Sequence, residues 1–276
     1  MKFLGIGFLL ILGSLLGAQE GLTKDQIKVE SYLDWKAGVF ILDLTAPLVR
    51  DSNVLPVNRF RTETFLAENL KEMMLGALFT LRLDSSRILQ DLAADDPRLF
   101  TPLGNLVDEL TQTYSRTNPG YETLTIRYSL PVFSRLMKIL VNHKVPSGEF
   151  FPLGYTSTKD YTGLVVYIPK TPGTPDLVPA LFPRIWDRKQ DLVLDLQSMD
   201  PAYLLKWGTM IYSRSFDETP FRDRIGMDPL RVVALGIQGE TPTDIVLSVT
   251  EANKIRFSLV NRKILSQGRI LVIQEN

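Results

Sequence analysis

No cysteine occurs anywhere in the 276 residues, so neither a disulfide nor a thiolate metal site can hold this chain together, and its fold rests on apolar burial. The chain is 45% hydrophobic and long enough for two modest domains, which makes that burial attainable without staples. The constraint matters because of how the chain begins. Lys2 precedes an apolar run over residues 3–16 and a small-residue exit at Gly17-Ala18, the pattern of a secretory signal peptide over residues 1–18. Spanning a bilayer takes roughly 20 apolar residues, and this run is closed earlier by Gln19 and Glu20. Cleavage is expected after Ala18, although Leu16 is larger than the usual small residue at that position; an uncleaved signal anchor is the alternative. Without a cysteine there is no site for a conventional lipoprotein anchor, and the expected location is periplasmic or outer-membrane associated.

The 31 basic and 31 acidic residues cancel, and loss of Lys2 with the leader leaves a mature chain of charge minus one. Such a chain has no global field for nucleic acid or anionic lipid. No later run is long enough to cross a membrane as a helix.

Two subdomains are expected, over residues 22–145 and 155–276, in an α+β fold. The first begins with a hairpin over residues 32–48 turned at Lys36-Ala37-Gly38, whose second arm, residues 39–45, is the stronger strand. Pro47 and Pro56 bracket a loop. Apolar residues at Leu66, Leu70, Met73, Ala77 and Leu81 predict a helix over residues 61–81 packed on the hairpin. Asp84 or Ser85 caps a short helix through Leu92. Thr101-Pro102 opens another, with Leu103, Leu106, Val107, Leu110 and Tyr114 on one face. Asn118-Pro119-Gly120 is a turn, residues 121–130 alternate as a strand, and a last helix carries Phe133, Leu136, Ile139 and Leu140.

The pattern lapses between His143 and Tyr161, the expected boundary. Beyond it, short β-rich runs are expected at residues 163–168, 181–186, 192–196, 210–212, 230–237, 245–249 and 269–273. A Pro-Gly-rich insert over residues 169–179 reads as a surface loop. One helix at residues 201–207 stops at Gly208, and a second over residues 250–265 follows a capping box at Ser248-Val249-Thr250-Glu251 and ends before Gly268. The short connections favour mixed sheets with an antiparallel component over a doubly wound sheet.

Candidate chemistry is sparse. His143 is the only histidine, no Gly-x-Ser-x-Gly elbow accompanies a serine, and the acids lack calcium-loop spacing, so neither a catalytic triad, a metal nor a cofactor is expected. His143 reads as a helix-end cation. Asp95-Asp96 reads as a helix cap, and Asp187, Asp191 and Asp195 make no single face, which leaves a carboxylate-only hydrolase as a third possibility. Arg214, Arg222 and Arg224 lie among Tyr212, Phe216 and Phe221 as a local basic cluster, opposed by Asp217, Glu218 and Asp223 into a salt-bridged loop. Trp186, Tyr203, Trp207 and Tyr212 read as core anchors.

Four blocks carry a family likeness: Tyr161-Thr162-Gly163-Leu164-Val165-Val166; Pro179-Ala180-Leu181-Phe182-Pro183-Arg184-Ile185; Arg224-Ile225-Gly226-Met227-Asp228-Pro229-Leu230; and Asp244-Ile245-Val246-Leu247-Ser248 with Gly268-Arg269-Ile270-Leu271-Val272-Ile273. In these the chain resembles bacterial envelope and flagellum-associated families, the flagellar lipoprotein FlgP and the N-terminal module of the flagellar protein FlgT. Residues 30–140 resemble the α+β unit that precedes this module in such proteins. Where relatives tend to run into an Asp-Ala-Arg-Gly-like segment, this chain has Tyr167-Ile168-Pro169-Lys170. The resemblance implies an exported, non-catalytic accessory or structural protein with an envelope or flagellar protein partner. Binding is expected through a strand edge or the 169–179 loop, because recognition concentrates on loops and edges. The alternative is a small-molecule or glycan binding module at the seam between subdomains, using Trp186, Trp207, Arg222 and Arg224.

Overall fold

A computed structural model describes residues 22–50, 52–144, 159–170, 172–173 and 175–274; the leader and the boundary near residues 145–155 lie outside them. The fold is α+β in two domains, and among the described residues twelve strands form three four-stranded sheets. In the first domain β1 (Lys28–Asp34) and β2 (Val39–Pro47) form the expected hairpin. The Asp34 carboxylate accepts from the N–H groups of Lys36 and Ala37, both at 3.0 Å, and Gly38 takes a positive φ of 67°. The first arm starts earlier than expected because an exposed edge strand has no apolar face to announce it.

Helix α1 (Leu55–Phe79) starts six residues before the predicted 61, because Pro56 stands in its first turn instead of bracketing a loop. Proline fits there, having no N–H to leave unpaired. The Asn58 amide exchanges hydrogen bonds with the Ser52 backbone at 2.7 and 3.1 Å and fixes the entry. The next helix, α2 (Leu89–Asp95), starts later than predicted. Asp84 instead builds a turn, accepting from Ser86 and Arg87 N–H and from the Arg87 guanidinium, while Asp91 receives the Ile88 N–H at 2.8 Å.

The helix opened at Thr101 is α3 (Phe100–Gly104), followed by a 3-10 turn, and it stops short of Tyr114. Tyr114 belongs to β3 (Thr111–Thr117), which pairs with β4 (Thr123–Pro131) across the expected turn. Its Thr-rich polar composition suits an exposed edge strand, and the apparent helical spacing was a coincidence of Leu110 and Tyr114. The sheet order is β1-β2-β4-β3, all antiparallel. Alternation along the central strands sends Phe40, Leu42, Leu44, Ile126, Tyr128 and Leu130 to one side, where they pack with Leu66, Met74 and Leu78 of α1. A π-helical turn over Val132–Leu136 and α4 (Met137–Leu140) close this domain.

The second domain runs β5 (Leu164–Ile168), β6 (Ile185–Asp187), β7 (Leu192–Leu194), α5 (Pro201–Trp207), β8 (Ile211–Ser213), α6 (Arg222–Ile225), β9 (Leu230–Val233), β10 (Gly236–Gln238), β11 (Asp244–Leu247), α7 (Val249–Arg256), α8 (Leu259–Ser266) and β12 (Ile270–Gln274). One sheet, ordered β10-β11-β6-β7, is mixed as expected; the other, β8-β12-β5-β9, is wholly parallel. Its central strands read as unbroken apolar runs because both sides are covered. Val166, Val232 and Val272 pack with Ile185, Ile245 and Ile264, whereas Val165, Leu271 and Ile273 pack with Phe221 and Ile225. The helix expected over residues 250–265 is two helices, since Ser258 accepts from the Asn261 N–H and caps α8 afresh.

The domains share side chains. Leu181 and Phe182, expected to begin a strand, enter the core of the first domain, and their N–H groups donate to Arg82 and Leu83 carbonyls at 3.0 and 2.6 Å. Phe133 lies between Gly38 of the hairpin turn and Gly208 at the end of α5, both with positive φ, and a Cβ on either would collide with its ring.

Candidate functional site

The four binding residues expected from sequence do not converge. Arg224 and Trp207 meet, with the guanidinium 5.5 Å from the indole centroid. Arg224 is only 6% exposed and faces no acid; it donates to the Gly268, Trp207 and Gly208 carbonyls at 2.6, 2.7 and 3.1 Å. Those carbonyls close the ends of α5 and α8, where a cation is favoured by the helix dipole. Burial pulls the guanidinium down to about 9, which leaves it charged at neutral pH. Trp207 donates from Nε1 to the Gln267 carbonyl at 2.7 Å. Trp186 donates instead to Asp244 on β11, at 3.1 Å, and Arg222 is exposed on α6. The expected pairing of Arg214, Arg222 and Arg224 with Asp217, Glu218 and Asp223 is not what forms among the described residues: Glu218 takes Arg231 of β9 and the Tyr167 hydroxyl, and Asp217 accepts from the Thr219 N–H.

The remaining sequence candidates also have structural partners. His143 bonds the Met199 carbonyl through Nε2 at 2.8 Å, bridging toward the second domain. Asp96 pairs with Arg98 and caps its N–H. Asp187 is fully buried; burial raises its pKa, but the Arg256 guanidinium at 2.6 Å and the N–H groups of Lys189 and Asp191 outweigh that and hold it below the ordinary value. Among the described residues no cluster of three or more His, Asp or Glu side chains could hold a metal ion, and no helix is long and apolar enough to cross a membrane.

Two surfaces stand out instead. One is the side of the antiparallel sheet turned away from α1. Register places Glu30, Asp43, Arg127 and Tyr114 in one row across the four strands, with Tyr32 and Ile41 beside them. Asp43 takes the Arg127 guanidinium in two bonds of 2.7 and 2.6 Å, and the Tyr114 ring covers it at 4.8 Å. The Asp43 hydrogen bonds raise the Arg127 pKa, with a further contribution from the two tyrosines. Tyr32 and Tyr114 stay 53% and 38% exposed. The other is a pocket of about 250 Å³ between the domains, lined by Trp35, Leu177, Pro179, Tyr212, Arg214 and Gln274, among others. Part of the 169–179 loop thus lines it, but none of the four residues named from sequence does. In the sequence Trp35 stands only as part of a hairpin; the signal that marks it is an indole in a tight turn, which needs a surface to pack on.

Comparison with known families divides the chain at the same place as the fold. Residues 26–139 match the family described as the N-terminal domain of Treponema pallidum Tp0624, and residues 163–276 match the family described as the second domain of that protein. No curated protein matches the chain.

Proposed function

We propose that this chain is an exported, non-catalytic protein of the bacterial envelope that holds a protein partner on the uncovered side of its first sheet. The observation that carries the reading is the row from Glu30 to Tyr114, where an arginine is already fixed by Asp43 and stacked against Tyr114. Tyrosine and arginine dominate the energetics of protein interfaces, and a guanidinium held in place before contact loses little entropy on binding. The buried carboxylates support a non-catalytic role, since Asp84, Asp187 and Asp244 are each engaged in bonds that shape a turn or tie two elements together. The signal-like leader supports export, and the likeness to flagellar families suggests a flagellar or outer-membrane component as the partner.

The test is photocrosslinking in intact cells with p-benzoylphenylalanine at position 32 or 114, and at exposed Arg98 as reference. The reading expects one adduct of fixed mass from positions 32 and 114, absent at 98 and lost when Arg127→Ala is added. Adducts that are equal at all three positions, or insensitive to Arg127, would count against it.

A further inference from the structure

We propose that the pocket between the domains binds a small molecule joining a flat apolar body to an anionic group, with Trp35 and Tyr212 receiving the body and Arg214 the charge. Its position comes first. Ser213 and Gln274 are the last residues of the parallel strands β8 and β12, so the pocket opens beyond the carboxyl ends of a parallel sheet, and its other wall belongs to a different domain. Both are places where ligand sites concentrate. Its volume of about 250 Å³ exceeds the roughly 150 Å³ of an apolar cavity that takes benzene.

The chemistry of the lining narrows the class. The Trp35 and Tyr212 rings meet edge to face, with centroids 4.8 Å apart, while Leu177, Pro179 and Val272 supply further apolar surface. Most polar groups there are already engaged. The Tyr212 hydroxyl exchanges bonds with the Ala180 backbone at 3.2 and 3.3 Å, so the residue offers its ring. Ser213 donates to the Ser215 carbonyl, and the Gln274 amide accepts from Leu177 N–H and donates to Asp176. Two donors at the pocket remain without an acceptor among the described residues, the Trp35 indole N–H and the Arg214 guanidinium. Neither can accept, so the complement is an acceptor-only group, and beside a guanidinium that favours an anion.

The probe is 4-fluorobenzoate, followed by ¹⁹F NMR titration of the full mature chain, with 4-fluorobenzyl alcohol as the neutral ring of similar size. The proposal expects saturable binding of the carboxylate at least fivefold tighter than the alcohol. Arg214→Gln should abolish that difference while leaving near-ultraviolet dichroism unchanged, since Arg214 is exposed and makes no side-chain bond to the described residues. Arg214→Lys should restore part of it, and Trp35→Leu should weaken both probes. No saturable binding of either probe, equal affinities, or carboxylate affinity unchanged in Arg214→Gln would each overturn the proposal. None of these outcomes bears on the sheet surface, which lies on the first domain alone.

Discussion

Replacing Phe182 with alanine should loosen the first domain although the residue belongs to the second. Its ring is 8% exposed and is part of the core built by β2, β4 and α1. Deleting a buried phenyl ring costs about 3–5 kcal/mol, and the residual exposure and position at the seam favour the lower end, about 3 kcal/mol. At about 1.4 kcal/mol per factor of ten, that is more than a hundredfold faster amide exchange wherever exchange requires opening of this core. The assay is hydrogen–deuterium exchange by mass spectrometry, following peptides from β2 and β4 beside peptides from β5 and β12. Val178→Ala, on an exposed neighbour in the same segment, is the control and should change neither set beyond threefold. If Phe182→Ala left β2 and β4 exchange unchanged within threefold while β5 and β12 accelerated, the domains would be energetically separate and the shared core a matter of contact only.

Arg224→Lys should lower stability by about 2–3 kcal/mol in denaturant titration, because an ammonium cannot reproduce the fork that meets three carbonyls at once; a loss under 0.5 kcal/mol would show that the clamp carries no weight. Asp187 sets a pH dependence with a definite sign. Its pKa is depressed in the folded state, so its contribution is complete above the ordinary carboxylate value near 4 and is lost as pH falls through the lower folded value. Asp187→Asn should therefore reduce stability at pH 7 and flatten the decline of the urea midpoint below about pH 4; parallel curves for the two proteins would contradict this.

Elements with one buried and one open side were legible in the sequence, because alternation in β2 and β4 and three-to-four spacing in α1 are direct images of burial. Elements that bury nothing of their own were not. β3 is polar apart from Tyr114, β1 begins with Lys28 and Glu30, and neither carries an apolar period. Leu181 and Phe182 were legible as buried but not as buried in the other domain, since a local pattern carries no address for its partner. The same limit governs the sites. Arg224 and Trp207 stood out by residue type, yet the carbonyls that occupy Arg224 come from segments 16, 17 and 44 residues away. Arg214 and Trp35, whose donors meet no acceptor among the described residues, are separated by almost the whole first domain and about half of the second.

The ring of Phe133 lodged between Gly38 and Gly208 has a mechanical consequence. Turning one domain against the other would drive that ring, backed on its own side by Gly38, into the Gly208 backbone of the second domain, and the Leu181 and Phe182 hydrogen bonds resist the same rotation. A partner seated on the first sheet, as proposed, would be carried at a set angle to anything that grips the second domain. A seam built this way would carry torque as a bracket does instead of dissipating it in a hinge.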